Sequence, residues 1–295
     1  MRPPITERIH QRPPLLFDGG FGSRLISMGL PSGMAPEAWV LENPDKIQQV
    51  HGEYVAAGSD VIVACTFGGN RIRLEKVGLE DKVTEVNLKA VELAKAASQD
   101  TTYIAVDLGP TGEFFEPHGA LTETVAQEVY EEQAGLLAET GIDFFMLETF
   151  YDLKEAQICL SACQKMAPQI PVGVTLTFNQ TPRGFFTVMG NPAAESLNEL
   201  AANGAFLVGA NCTLEAEGMA ILAAELKQKV SAPLLFQANA GSPQIKAGDV
   251  VYPQGPEEFA EFGKTMLSLG IQAIGGCCGS TPEHIIQLRQ IINVM

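Results

Sequence analysis

Eight short apolar runs alternate with eight longer helical patterns along almost the whole chain, and this alternation constrains the fold more than any other feature. Each run is apolar throughout rather than at every second residue, which is typical of parallel strands buried on both faces. The runs lie at 15–18, 60–65, 103–107, 144–148, 171–176, 206–210, 233–237 and 271–275. The helical patterns lie at 43–57, 79–97, 122–140, 153–166, 192–202, 215–230, 256–269 and 282–294.

Strands that alternate with helices favour a parallel sheet with crossover helices. Eight such units in 295 residues predict an α/β fold, a (β/α)8 TIM barrel, rather than an open doubly wound sheet. No linker or low-complexity tract divides the chain, so we expect a single barrel domain over 15–295. The first 14 residues contain two Pro-Pro pairs and are predicted to form an N-terminal arm, over 1–14, outside the barrel.

The charge of the chain limits its partners. The sequence has 19 basic and 35 acidic residues and a net charge of −16, which repels nucleic acids and anionic membranes. We therefore expect no nucleic acid and no membrane as partner. No run approaches the roughly 20 apolar residues of a membrane-spanning helix, and the N-terminus lacks the apolar core of a signal peptide. These features predict a cytoplasmic protein with reduced cysteines.

Polar and reactive residues follow the predicted strands. The C-terminal ends of barrel strands are where barrel enzymes place their chemistry. The residues at these ends are Asp18, Thr66, Asp107, Glu148, Thr177, Cys212, Asn239, Cys277 and Cys278. We therefore expect an active site at this end of the barrel.

Three cysteines at these strand ends predict a metal site. Two of them are adjacent in Gly275-Gly276-Cys277-Cys278-Gly279, and Cys212 closes the sixth strand, two strands away. Successive side chains of a regular strand point to opposite faces, but the glycines allow the backbone to turn both thiols toward one point. Three thiolates favour one Zn²⁺ per chain and leave one position where a substrate thiol can bind. The alternative is three small buried apolar side chains.

The remaining cysteines and the histidines carry no comparable pattern. Cys159 and Cys163 lie four residues apart on one helix and are predicted to face the core. Cys65 is predicted to line the pocket. His284 is predicted to lie on the surface of the last helix, and His51 belongs to no motif, so a Ser-His-Asp hydrolase is unsupported.

Asp18 is followed by glycines in Asp18-Gly19-Gly20-Phe21-Gly22. The spacing differs from a dinucleotide-binding fingerprint, and the aspartate would repel a phosphate. An aspartate beside exposed backbone amides suits a zwitterion, whose carboxylate binds the N–H groups and whose ammonium binds the acid. Glu148 would supply a second acidic contact. Structural ion pairs are the alternative for both carboxylates.

Seven segments in the same order resemble one family. They are Asp18-Gly19-Gly20-Phe21-Gly22, Thr66-Phe67-Gly68-Gly69-Asn70-Arg71, Gly109-Pro110-Thr111-Gly112, Glu148-Thr149-Phe150, Asn211-Cys212, Asn239-Ala240-Gly241 and the segment from Gly275 to His284. Together they resemble the zinc-dependent homocysteine S-methyltransferase family, and most closely the N-terminal homocysteine-binding domain of cobalamin-dependent methionine synthase. The resemblance runs from about residue 14 to the end.

The resemblance implies a zinc site, an amino-acid pocket and homocysteine as the substrate. The implied zinc ligands are Cys212, Cys277 and Cys278, and the implied substrate-binding residues are Asp18, Gly19, Gly20, Glu148 and Asn239. Asn239 matches an asparagine that can occupy the open position of the metal before substrate arrives. Thr149 stands where betaine-using relatives have a tyrosine, which argues against betaine. Ala64-Cys65 replaces the Thr-Asn that is common in methionine synthases.

The resemblance predicts methyl transfer to the thiol of homocysteine, which gives methionine. The donor is predicted to be a methylcorrinoid protein or a sulfonium such as S-methylmethionine. A cobalamin signature, Asp-x-His-x-x-Gly, is absent from the sequence, so any corrinoid is expected on a separate protein. One alternative is a methyltransferase that moves methyl groups from a quaternary amine to a corrinoid protein without homocysteine. Another is a non-catalytic, zinc-stapled barrel that acts as a scaffold subunit.

Overall fold

The computed structural model describes residues 2–31, 33–246 and 249–294. Met1 and Met295, the outer limits of the predicted arm and barrel domain, lie outside the described residues. The helices are α1 (Ile5–Arg8), α2 (Phe21–Ser27), α3 (Pro36–Glu42), α4 (Pro44–Ala56), α5 (Arg71–Glu75), α6 (Val83–Ala97), α7 (Glu123–Ala138), α8 (Leu153–Met166), α9 (Ala193–Ala202), α10 (Ala216–Lys229), α11 (Pro256–Ser268) and α12 (Pro282–Asn293). The strands are β1 (Leu15–Leu16), β2 (Val61–Ala64), β3 (Tyr103–Leu108), β4 (Phe144–Phe150), β5 (Val172–Leu176), β6 (Asn179–Thr181), β7 (Gly184–Phe186), β8 (Leu207–Glu215), β9 (Leu234–Asn239), β10 (Gln244–Lys246), β11 (Asp249–Val251) and β12 (Ala273–Gly276).

Eight of these strands form one parallel sheet in the order β1-β12-β9-β8-β5-β4-β3-β2. A parallel bridge between Phe17 and Val61 joins the two ends of the sheet and closes it into a barrel. All eight strands coincide with the apolar runs of the sequence, because each is covered by side chains inside the barrel and by helices outside it. The predicted single-domain (β/α)8 barrel is therefore confirmed.

Two apolar layers stabilise the barrel. One layer lies between the sheet and the helices, and the other fills the barrel interior with alternate side chains such as Leu15 and Phe17. Ile5 and Ile9 of the N-terminal segment are buried and belong to the interior layer. The segment before β1 therefore contributes to the barrel core, and its separation at residue 14 stays a prediction.

The predicted helices and strands differ from the observed ones mainly in the loops at the C-terminal end of the barrel. The eight long helices begin and end within a few residues of their predicted limits. The short helices α2, α3 and α5 and the hairpins β6–β7 and β10–β11 were not predicted. Elements this short contain too few residues to show a period of hydrophobicity. None of the described helices is long and apolar enough to cross a membrane.

A buried histidine makes the barrel sensitive to acid. His51 of α4 is 0% exposed, neither of its ring nitrogens has a hydrogen-bond partner among the described residues, and burial lowers its pKa to about 3. A histidine whose pKa is lower in the folded state stabilises the fold above its unfolded pKa of about 6.5. This contribution is lost as the pH falls from about 6.5 toward 3, because the unfolded chain then binds the extra proton.

Replacing His51 with leucine should therefore reduce the loss of stability in acid. Between pH 7 and pH 4.5 we expect the free energy of unfolding to fall by about 2 kcal/mol less in His51→Leu than in the parent. Urea unfolding at the two pH values measures this difference. His118→Leu, at an exposed histidine, is the matched control and should keep the full loss. An equal loss in His51→Leu and the parent would contradict the assignment.

Candidate functional site

A cavity of about 300 Å³ lies at the C-terminal end of the barrel, where β1, β2, β3, β4, β8, β9 and β12 end. Its lining includes seven predicted site residues, which are Asp18, Gly19, Gly20, Glu148, Cys212, Cys277 and Cys278. It also includes Cys65 and Asp107, which were expected at this end of the barrel, and Gln237, which was not singled out. Asn239 at the end of β9 is buried but is not part of this lining. The structure thus brings seven of the eight predicted site residues onto one surface.

The three thiols lie at distances that suit one metal ion. The sulfur atoms of Cys212, Cys277 and Cys278 all lie within 4.8 Å of one another. The sulfurs of Cys212 and Cys278 are 3.8 Å apart. Two thiolates on tetrahedral zinc, each at about 2.3 Å from the metal, are separated by about 3.8 Å. The cluster can therefore hold a metal ion, and its geometry and donor type fit zinc.

Cys212 reaches the cavity through an irregularity in β8. Cys212 and Thr213 both have a φ of 59°, in the left-handed region that non-glycine residues seldom adopt. The pairing of β8 with β9 shifts between Asn211 and Glu215, at the same place. Such bulges redirect a side chain, and backbone strain of this kind is concentrated at active sites. No pattern in the sequence predicted this bulge.

The adjacent cysteines are held by backbone hydrogen bonds and close packing. The N–H of Cys277 donates to the Ala238 carbonyl oxygen at 2.8 Å, and the Cys278 carbonyl oxygen accepts from the Ala240 N–H at 2.9 Å. Gly279 has a φ of 81°, so glycine provides a left-handed turn there as expected. Position 276 requires glycine for a different reason, because a Cβ there would lie 2.1 Å from the Ser280 hydroxyl oxygen. One glycine therefore turns the chain and the other permits close approach.

Hydrogen bonds within the cluster favour one thiolate. The thiols of Cys212 and Cys277 donate to Cys278 and lower its pKa to about 3. The pKa of Cys277 lies well above its ordinary value, because its thiol hydrogen-bonds to Cys212 and Cys278 and is buried. These hydrogen bonds therefore favour ionisation of Cys278 over ionisation of Cys277.

The carboxyl groups of the cavity, buried at Asp18 and half-buried at Glu148, have no basic side chain beside them in the described cavity lining. Burial raises the pKa of Asp18 well above its ordinary value and that of Glu148 to about 7. Asp18 accepts a hydrogen bond from the Val63 N–H at 2.8 Å, while Glu148 Oε1 has no partner. Among the described residues, no lysine, arginine or histidine lines this cavity. A ligand ammonium would therefore stabilise the ionised carboxylates.

The glycines after Asp18 allow two loops to approach each other. A Cβ on Gly20 would lie 2.5 Å from the Cys277 carbonyl oxygen. The Gly20 N–H donates to Ser280 Oγ at 3.0 Å and to its carbonyl at 3.1 Å. This amide is therefore already engaged, which argues against its predicted use in binding a carboxylate. The sequence could not show this, because Ser280 is distant along the chain.

Asn211 connects the carboxylate strand to the thiol cluster, a role that sequence reasoning missed. Its Oδ1 accepts hydrogen bonds from Thr149 N–H and Thr175 Oγ1, both at 2.9 Å. Its amide nitrogen donates to Thr149 Oγ1 at 2.8 Å and lies 4.0 Å from Cys277 Sγ. Thr149 follows Glu148 directly and has a φ of 62°. The only signal in the sequence was the position of Asn211 beside Cys212.

His284 is a structural residue rather than a surface residue. It is 5% exposed, accepts a hydrogen bond from the Thr281 N–H at 3.1 Å, and its other ring nitrogen pairs with the Gln254 carbonyl at 2.9 Å. The expectation of a surface position was wrong, because the first turn of α12 packs against Phe259 of α11. The predictions for Cys65, Cys159 and Cys163 are confirmed, since all three are buried and Cys65 lines the cavity.

Comparisons with known proteins show which proteins this chain is similar to. Methionine synthase of Mycobacterium leprae is 27% identical over 260 residues, which cover 84% of this chain and 21% of the relative. Methionine synthase of Mycobacterium tuberculosis is 26% identical over 260 residues, which cover 84% of this chain and 22% of the relative. The chain therefore spans about a fifth of the length of these curated relatives.

The fold is shared with a solved structure over nearly the whole chain. The metallated form of the homocysteine methyltransferase MmuM from Escherichia coli has a TM-score of 0.81 and 20% sequence identity, covering 98% of this chain and 100% of that one. The family model for homocysteine S-methyltransferase matches residues 15–292. This chain therefore belongs to the homocysteine S-methyltransferase family.

Proposed function

We propose that this chain transfers a methyl group to the thiol sulfur of homocysteine and forms methionine, with one Zn²⁺ held by Cys212, Cys277 and Cys278. The observation that carries the proposal is that the three-thiol cluster and Glu148 lie on the wall of one cavity. A ligand that has a thiol at one end and an ammonium at the other can contact both. Homocysteine is such a ligand, and family membership supports it.

The donor set suits zinc chemistry on sulfur. Zinc bound by three thiolates supplies a position where a further thiol binds and is held as the thiolate at neutral pH. Asn239 supports a vacant position, since its buried Oδ1 has no partner and the following residue, Ala240, hydrogen-bonds to Cys278. We propose that Asn239 approaches the metal before substrate binds. Release of the thiol proton on binding means that no protein general base is required.

The side chains of the cavity orient the substrate. Glu148 holds the ammonium group, and the nearby Asp18 adds its negative charge to the same pocket. The bulges at Thr149 and Cys212 fix the carboxylate and the thiolate relative to each other. The buried walls keep water from the nucleophile. The new sulfur–carbon bond then forms as the bond between the methyl carbon and the donor breaks, and the donor leaves with that electron pair. Restricting the reactants to this geometry lowers the entropic barrier.

The donor approaches from the face on which the thiols lie. A methylcorrinoid carried by a separate protein is the first candidate, and a sulfonium such as S-methylmethionine is the second. Both present an activated methyl group for in-line displacement. Among the described residues the cavity wall carries acidic but no basic side chains, which is compatible with a cationic sulfonium.

Metal content and methionine formation test the proposal together. The chain should contain about one zinc, and it should form methionine from homocysteine with at least one of methylcobalamin, a methylcorrinoid protein and S-methylmethionine. Betaine is the control donor and should give no product. Zinc well below one per chain after reduction and reloading would contradict the metal assignment. A full zinc content without methionine from any donor would favour the scaffold or corrinoid-only alternatives.

A further inference from the structure

Three unpaired oxygen atoms lie together in the cavity wall. Among the described residues that line it, the buried side-chain atoms without a hydrogen-bond partner are Asp107 Oδ1, Glu148 Oε1 and Gln237 Oε1. All three are acceptors. Folded proteins pair nearly all their buried polar atoms with protein, water or ligand. Three free acceptors on one wall therefore indicate a ligand that brings hydrogen-bond donors.

The three side chains are neighbours although they come from three strands. Burial raises the pKa of Glu148, and the adjacent Asp107 and Gln237 side chains act to lower it, so the three groups lie close together. They belong to β3 and β4, which are neighbours in the sheet, and to β9, which lies three strands from β4. Asp107 is 6% exposed and Gln237 is 4% exposed, so neither side chain is satisfied by bulk water. The barrel thus gathers them around one point.

Asp107 and Gln237, which flank Glu148, are both held in place by their surroundings. The Asp107 N–H donates a hydrogen bond to Thr66 Oγ1 at 2.8 Å. The Thr66 hydroxyl in turn donates to the Asp107 carbonyl oxygen, also at 2.8 Å. Gly275 pairs with Gln237 in the sheet, and a Cβ on Gly275 would lie 3.2 Å from Gln237 Cγ. The glycine therefore leaves the space in which the Gln237 side chain stands.

We infer that Asp107 and Gln237 join Glu148 in a three-oxygen ammonium cradle that binds the amino group of homocysteine. The inference rests on the proposed function and adds two side chains to it. A primary ammonium has three N–H donors and no acceptor, which matches three free oxygens. A quaternary ammonium has no N–H and leaves all three oxygens unpaired. The ammonium cradle therefore selects thiols that carry a primary amine.

Calorimetric binding of two thiols to the zinc-loaded chain tests this role. Homocysteine carries the ammonium, and 4-sulfanylbutanoate has the same thiol and carboxylate without it. The parent should bind homocysteine more tightly. Asp107→Asn and Gln237→Met should each weaken homocysteine binding about 10-fold or more, while binding of 4-sulfanylbutanoate stays within about 2-fold. Zinc content and thermal unfolding should match the parent in both variants.

Glu37→Gln is the matched control for charge. Glu37 lines the same cavity, but its carboxylate already accepts a hydrogen bond from the Gly68 N–H at 2.6 Å. This variant should bind both thiols as the parent does. The ammonium cradle is wrong if Asp107→Asn and Gln237→Met bind homocysteine as tightly as the parent, or weaken for both thiols equally. A zinc-loaded parent that binds neither thiol would instead overturn the proposed function, and the cradle with it.

Discussion

Replacing Cys277 with serine should abolish both the metal and the reaction. Serine keeps the size of the side chain but is a poor zinc ligand, so two thiolates remain of the three. We expect zinc affinity to fall by about 10²- to 10³-fold and methionine formation from homocysteine to fall below detection. Metal analysis after dialysis against a weak chelator measures the first effect, and a methionine assay measures the second.

The matched control for this variant is Cys65→Ser. Cys65 is buried in the same cavity, but its sulfur is not part of the three-thiol cluster. This variant should retain about one zinc per chain through the same dialysis. A Cys277→Ser chain that also retains one zinc per chain would show that the metal is held elsewhere.

Replacing Glu148 with glutamine should separate substrate binding from metal binding. The amide keeps the shape of the side chain but loses the negative charge that pairs with the substrate ammonium. A hydrogen bond to a charged group contributes about 1.5–3 kcal/mol, so we expect the KM for homocysteine to rise by about 10- to 100-fold. Zinc content should stay at the parent value. Steady-state kinetics with varied homocysteine measure the change.

Glu155→Gln is the control for the loss of a buried glutamate. Glu155 is 1% exposed and accepts hydrogen bonds from Thr111 and Tyr130 outside the cavity, so its variant should keep the parent KM. An unchanged KM in Glu148→Gln would refute the ammonium contact. Glu148→Ala also distinguishes the corrinoid-only alternative. Homocysteine use should collapse in that variant, whereas methyl transfer from a quaternary amine to a corrinoid protein need not.

The barrel could be predicted because its pattern is local. A strand buried on both faces is apolar at every position, and an amphipathic helix repeats every 3.6 residues, so each can be recognised within its own segment. The short helices α2, α3 and α5 lack such a pattern and were missed. His284 was misplaced for a related reason, because its burial depends on Phe259 in another helix.

The candidate site was predicted in its residues more fully than in its geometry. The paired cysteines among glycines and the acidic strand ends were visible in the sequence. The left-handed backbone at Thr149 and Cys212 was not, since a β-branched residue and a cysteine seldom adopt it. The role of Gly20 was also hidden, because the Ser280 that engages its amide is far away in the chain.

The sequence by itself determined the barrel and the chemical character of its functional end, because strand periodicity, cysteine clustering and strand-end polarity are local properties. Only the tertiary structure decided that Cys212 lies 3.8 Å, sulfur to sulfur, from Cys278. It also decided that Asp107 and Gln237 flank Glu148. Both arrangements depend on barrel closure, on strand order and on two bulges. Such arrangements arise from packing between distant segments, which no local pattern specifies.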